Sequence, residues 1–73
     1  MKAIINLKTI AELPCTISHE TPSEVNFEIT RDYATATILN ILHKMGGVRV
    51  FIYDTYVSVY VKASLVESLV YVD

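Results

Sequence analysis

The most reactive side chains of this 73-residue chain belong to one cysteine, Cys15, and two histidines, His19 and His43. Covalent catalysis by a thiolate and a histidine base requires the two groups within hydrogen-bond reach. Cys15 and His19 lie four residues apart, but the sequence offers no third group to orient the base and no oxyanion-binding pattern. We therefore predict that Cys15 is a small packing residue and that the protein is not an enzyme.

Metal and cofactor sites receive no better support from the sequence. The chain has no CxxC or HxxxH pair, so a zinc site would have to be assembled entirely by the fold. The Gly46-Gly47 pair follows a helical pattern and precedes a strand, whereas a phosphate-binding loop has the opposite order because it uses the free N–H groups at a helix start. We predict no catalytic residue, no metal and no cofactor.

Acidic residues are concentrated in residues 11–32, where Arg31 is the only basic residue. Such a patch could contact a basic partner or mimic nucleic acid. Solvation of exposed connections explains it more simply, and we prefer that interpretation. The acidic residues are Glu12, Glu20, Glu24, Glu28 and Asp32.

Composition indicates one folded domain spanning residues 1–73. The chain is 52% hydrophobic and 19% charged, which excludes a disordered tail. A formal net charge of −2 argues against a general nucleic-acid binder, and no apolar run reaches membrane-spanning length. For the second reason we expect no membrane partner. A single cysteine cannot form an internal disulfide, so we expect a cytoplasmic location.

The helix that must organise the fold precedes the glycine pair. Thr30 is a candidate N-cap, Lys44 suits the negative end of the helix dipole, and Gly46 can close the helix in a left-handed conformation. Apolar residues recur at helical spacing between these points and predict one buried stripe. They are Ala34, Ile38, Ile41, Leu42 and Met45.

After the glycines, apolar and polar residues alternate with period two and predict the strands Val48–Tyr53 and Val57–Val61. A reversal at Asp54–Thr55, with a loop of two or of four residues, places Ile52 opposite Val57. The core face of this hairpin then carries Val48, Val50, Ile52, Val57, Val59 and Val61. The other face carries Arg49, Phe51, Tyr53, Tyr56, Ser58 and Tyr60.

The first third of the chain is less regular. Residues 2–10 alternate as a half-buried strand does, and residues 11–23 predict a long connection with, at most, a short strand at Cys15–Ser18. Residues 24–30 favour a strand, although Thr21-Pro22-Ser23-Glu24 also has the form of a helix capping box. Both interpretations of this segment remain open from the sequence.

The end of the chain completes the predicted topology. Residues 64–67 form a second capping-box pattern and residues 69–72 are typical of a strand, so we expect one helical turn followed by a short final strand. The predicted fold class is α+β, a small β-β-α-β-β domain with a short C-terminal strand. Its one helix packs on one face of a mainly antiparallel sheet.

The unusual feature is the aromatic face of the hairpin, since a sheet face that meets only water should be polar. Its composition is typical of an interface core, although cross-strand aromatic pairs can also stabilise a hairpin without a partner. We predict a non-enzymatic interaction or regulatory module, including an inhibitory one, that binds a protein partner or forms a homodimer. Single-stranded nucleic acid stacked on the same rings is the lower-ranked alternative. The predicted partner-binding residues are Arg49, Phe51, Tyr53, Tyr56, Tyr60 and Lys62.

Overall fold

The computed structural model describes residues 1–72 and confirms an α+β fold, with six strands and one helix in the order β-β-β-α-β-β-β. Every strand pair is antiparallel, and the sheet order is β4-β5-β3-β2-β1-β6. The elements are β1 (Lys2–Leu7), β2 (Leu13–Glu20), β3 (Glu24–Thr30), α1 (Thr35–His43), β4 (Val48–Ile52), β5 (Tyr56–Lys62) and β6 (Val66–Tyr71), with a 3₁₀ turn at Ala63–Leu65.

Strand β2 is the element that the sequence analysis underestimated, because an eight-residue strand replaces most of the predicted connection. Pro14 lies inside it, opposite Ile4 of β1. Met1 and Ile17 exchange both backbone hydrogen bonds, so by alternation the nitrogen of Pro14 points away from β1. Pairing with β3 starts only at Thr16, and the missing N–H of Pro14 therefore costs no ladder hydrogen bond.

The open question over residues 24–30 is resolved in favour of a strand, β3. The capping-box residues that precede it form a turn. The Thr21 hydroxyl accepts the N–H of Glu24 at 3.0 Å, and the Thr21 N–H donates to the Glu24 carbonyl at 2.8 Å. The side-chain hydrogen bond expected of a helix cap is thus present, but it stabilises the β2–β3 turn.

The hairpin register agrees with the parity argument. Ile52 pairs with Val57, and the pairs Val50–Val59 and Val48–Val61 follow. Strand β4 ends one residue earlier and β5 starts one residue earlier than predicted, and the Tyr53 N–H donates to the Tyr56 carbonyl across the reversal.

The helix is shorter than its apolar stripe suggested. Thr30 is the last residue of β3, not the N-cap, and its carbonyl accepts the Thr35 hydroxyl at 3.0 Å. The N-cap is Ala34, which is exposed and makes no side-chain capping bond. At the other end, Gly47 has the positive φ of +84° that we expected of Gly46. This positive φ favours glycine, and a β-carbon on Gly47 would also displace the flexible Lys62 side chain, whose Cδ would lie 2.9 Å away.

The core lies between the sheet and α1, with Leu42 fully buried at the centre of the helix contact. Three residues expected in the core differ, and the first is Ala34, the exposed N-cap. Ile41 is partly exposed and does not pack against the core, because the helix presents Leu42 to the sheet. Ile52 is 50% exposed because it ends the edge strand β4. The buried apolar residues of the sheet are Ala3, Ile5, Leu7, Leu13, Cys15, Ile17, Val25, Phe27, Ile29, Val57, Val59 and Val61.

Candidate functional site: the aromatic outer face

The outer face is the side of the sheet opposite α1, and its most apolar part lies on β4 and β5. Residues at one parity of these strands are buried with the helix, so residues at the other parity face outward. The structure brings the predicted aromatic residues together in two touching pairs, Phe51 with Tyr60 and Tyr53 with Tyr56. We call these four residues the aromatic cluster.

Each pair of rings has a defined geometry. The Phe51 and Tyr60 rings meet edge to face, with centroids 5.7 Å apart and an interplanar angle of 88°. The Tyr53 and Tyr56 rings are stacked at 4.8 Å and 20°. Both arrangements are favourable for aromatic pairs, so the rings hold one another in position. Phe51 and Tyr53 nevertheless remain 44% and 49% exposed, and the cluster therefore presents apolar area to the outside.

Charged residues border the cluster near the start of β4 and the end of β5. The Arg49 guanidinium lies 4.6 Å from the centre of the Tyr60 ring and donates to both carboxylate oxygens of Glu24, at 3.0 and 3.2 Å. Lys62 pairs with Glu24 in the β3–β5 register, and its side chain lies against Gly47. Arg49 is thus fixed as a rim residue by one ring and one carboxylate.

A buried polar pair lies beside the cluster on the same face. The Asn26 side-chain amide donates to Ser58 Oγ and to the Val59 carbonyl, both at 3.0 Å. Asn26 and Ser58 are 8% and 7% exposed, so these hydrogen bonds are shielded from water. Asn26 and Glu24 were not expected beside the aromatic cluster, although their alternation along β3 places them on one face.

The rest of the outer face consists of a polar band and, beyond it, an apolar region on β1 and β6. Thr16 of β2 and Glu28 of β3 form a polar band next to the cluster. The apolar residue Ile4 lies beyond this band on β1, with Val70 of β6 as its neighbour. A shallow depression of about 320 Å³ lies between these regions, lined mainly by Lys2, Ile4, Pro14, Thr16, Glu28 and Thr30.

The structure separates Cys15 from His19. A register shift in β2 between Ile17 and His19 places His19 opposite Asn26, on the outer face, whereas Cys15 is buried on the core face. Burial raises the pKa of the Cys15 thiol from 9.0 to about 11, which disfavours a thiolate at neutral pH. Within residues 1–72, no group of three or more His, Cys, Asp or Glu side chains is arranged to hold a metal ion.

Tyr71, the last residue of β6, has a pKa raised above the ordinary value of a tyrosine. Its hydroxyl donates to the Glu20 carboxylate, and this hydrogen bond holds the proton on the phenol. Tyr71 pairs with Ala3, a core-face residue, so it covers the margin of the core and is not part of the outer face.

Comparison with models of known families, with curated proteins and with solved structures gave no match to this chain. In the described range 1–72, the one α-helix, α1, has nine residues and cannot span a membrane.

Proposed function

We propose that the protein is a non-enzymatic interaction module that binds a protein partner through the aromatic cluster, and that a second copy of the chain is the simplest such partner. The observation that carries the proposal is the exposure of Phe51 and Tyr53 on a face that the fold does not cover. Apolar patches of this kind on a small domain are typical of interaction sites.

The chemistry of the cluster suits a protein surface. Tyrosine provides a large apolar area and a hydroxyl that can still form hydrogen bonds, at a low cost in side-chain entropy. Arg49 is held at the rim by Glu24 and Tyr60, which supports an apolar centre with a polar border. A regulatory or inhibitory role is part of the proposal, since a small domain that carries a binding face can act by occupying its partner.

A two-fold axis is the simplest way to cover this face, because it places the same patch of two copies against each other. Each aromatic cluster would then be buried by an equal apolar area.

Nucleic acid is the weaker candidate for the same rings. Stacking platforms for single strands work with free cations that contact phosphates. Here Arg49 forms a salt bridge with Glu24, and Glu28 adds a further acidic side chain to the outer face. Location in the cytoplasm remains part of the proposal, on the ground of the single free cysteine.

The experiment replaces Tyr56 and Tyr60 by serine and measures molar mass by light scattering and folding by circular dichroism. Both residues lie on β5, inside the sheet, so the edge strand is unchanged. We expect the native protein to associate and the double variant to lose association through this face while keeping its spectrum.

The matched control is Tyr33→Ser with Tyr71→Ser, which removes two rings outside the cluster and should leave the molar mass as in the native protein. If the cluster variant associates as the native protein does, the proposal is wrong. If it unfolds instead, the rings belong to the core and the proposal fails for that reason.

A further inference from the structure

Strand β4 ends the sheet on the side of the aromatic cluster, and the direction of its backbone groups follows from two hydrogen bonds. The Tyr53 N–H donates to the Tyr56 carbonyl and the Lys62 N–H donates to the Gly47 carbonyl. Since antiparallel pairs alternate, the backbone groups of the odd-numbered residues of β4 point towards β5. Those of the even-numbered residues, Val48, Val50 and Ile52, therefore point to the open edge.

The other edge of the sheet, β6, is protected in ways that β4 is not. Its pairing with β1 contains a register shift between Asn6 and Leu7, and Glu67 lies in the irregular segment. Bulges and charges are devices that discourage a further strand from pairing. The β4 register shows no shift and the strand contains no proline, and its one charged residue, Arg49, is paired with Glu24 on the outer face.

The side chains of β4 are also incompletely covered. Ile52 and Phe51 are exposed on opposite faces of the same strand end, while Val48 and Val50 are half-buried. A neighbouring strand would cover both faces at once, because adjacent strands bring their side chains within contact distance.

We propose that two copies of the chain pair through β4, antiparallel and about a two-fold axis at Val50. In this register Val50 faces Val50 of the second copy, and Val48 faces Ile52 of the second copy on both sides of the axis. All three outward-pointing residues of each strand then form backbone hydrogen bonds. Shifting the axis to Arg49 would place two guanidinium groups opposite each other, and shifting it to Phe51 would leave Val48 opposite the loop residue Asp54.

The side chains are complementary in the same register. On the outer face, Arg49 of one copy lies opposite Phe51 of the other. The pair of strands therefore contains two symmetric contacts between a guanidinium and a phenylalanine ring. On the core face, the exposed Ile52 meets Val48. The six-stranded sheets become one sheet, and the two aromatic clusters form a single surface across the axis. This contact goes beyond the proposed function, since it uses the sheet edge and not the outer face.

The test compares Ile52→Pro with Ile52→Ala by sedimentation equilibrium. Both variants lose the isoleucine side chain, but only proline also removes the outward N–H, which the hairpin does not use. We expect Ile52→Pro to weaken edge-mediated association about tenfold or more relative to Ile52→Ala. Equal association of the two variants would overturn the proposal, as would a native protein that stays monomeric at high concentration.

Hydrogen exchange on the native protein tests the same contact without a variant. The amides of Val50 and Ile52 should exchange more slowly in a concentrated sample than in a dilute one. Leu69 and Tyr71, whose amides point outward from β6 by the same alternation, should exchange at the same rate in both samples. Unchanged exchange at Val50 and Ile52 contradicts edge pairing.

The two proposed contacts, through the outer face and through the β4 edge, can be tested independently. Loss of association in Tyr56→Ser with Tyr60→Ser but not in Ile52→Pro supports the outer face alone and contradicts edge pairing. The reverse result supports the edge alone and contradicts the proposed function.

Discussion

The two faces of the β4–β5 hairpin differ in burial, although alternate residues of the same two strands form them. The core face is covered by α1, and the outer face is not covered by the domain. On one face Val57, Val59 and Val61 are fully buried. On the other, rings pair with one another and Phe51 remains 44% exposed. Since the valine face already joins the hairpin to the core, the fold does not need an apolar outer face. We propose that a partner covers the outer face, and the predictions below test whether the two faces differ in this way.

The two phenylalanines of the chain give the sharpest version of this comparison. Phe27 is fully buried on the core face, so Phe27→Ala should lower the free energy of unfolding by about 3–5 kcal/mol. A chain of this length has a total stability of about 4–11 kcal/mol, so this change should shift the urea midpoint strongly or unfold the protein. The measurement is urea unfolding followed by circular dichroism.

Phe51→Ala is the matched change on the outer face, and it should cost no more than about 1 kcal/mol in a dilute sample. A loss at Phe51 as large as that at Phe27 would show that the two faces are equally part of the core.

Two neighbouring helix residues test how the core face is covered. Leu42 is fully buried, and Leu42→Ala should cost about 2–5 kcal/mol. Ile41→Ala should cost less than about 1 kcal/mol, because Ile41 does not pack against the core. The urea midpoints of the two variants measure which substitution lowers the free energy of unfolding more. A larger loss at Ile41 would mean that the helix is turned about its axis relative to the structure.

The buried polar pair beside the aromatic cluster should have an intermediate effect. Asn26→Ala removes both hydrogen bonds of the amide and leaves the buried Ser58 hydroxyl without this donor, at a cost of about 1–3 kcal/mol. Adding Ser58→Ala should recover part of the loss, which a double-mutant cycle measures. Fully additive losses would show that the two side chains act independently.

The pH dependence due to Cys15 is expected only at alkaline pH. Its pKa is raised in the folded state, so the unfolded chain loses the thiol proton first as the pH rises. The stabilisation is complete below pH 9 and is lost progressively between about pH 9 and pH 11. The urea midpoint of the native protein should therefore fall relative to that of Cys15→Ala across this range. A constant difference between the two proteins would contradict a buried, protonated thiol.

The hairpin could be predicted from the sequence because strand parity is a strong constraint. A one-residue slip would have exchanged valines for tyrosines on the core face, so one register was strongly favoured. Strand β2 could not be predicted in the same way. Pro14 argues against a strand although it keeps the alternation of β2, and the register shift before His19 interrupts that alternation. Only the position of the neighbouring strands shows why each is tolerated.

The candidate site was predictable to the same extent as the strands that carry it. Parity placed Phe51 and Tyr60 on one face, but the salt bridge of Arg49 with Glu24 depends on β3 lying beside β5, a contact between distant segments. The helix start was missed because Thr35, rather than Thr30, provides the local hydroxyl: it bonds the Thr30 carbonyl and accepts the Asp32 N–H.

The five tyrosines allow one direct test of the claim that the aromatic cluster is a partner surface. Hydroxyl-radical footprinting of the native protein at low and at high concentration reports the exposure of each ring. Three tyrosines lie in the cluster, Tyr33 is 97% exposed and serves as an internal reference, and Tyr71 lies at the core margin.

Association through the outer face predicts that Tyr53, Tyr56 and Tyr60 become protected at high concentration while Tyr33 and Tyr71 do not. Two results would contradict association through the outer face. One is unchanged reactivity of the three cluster tyrosines in a sample that has associated, and the other is protection centred on Tyr71.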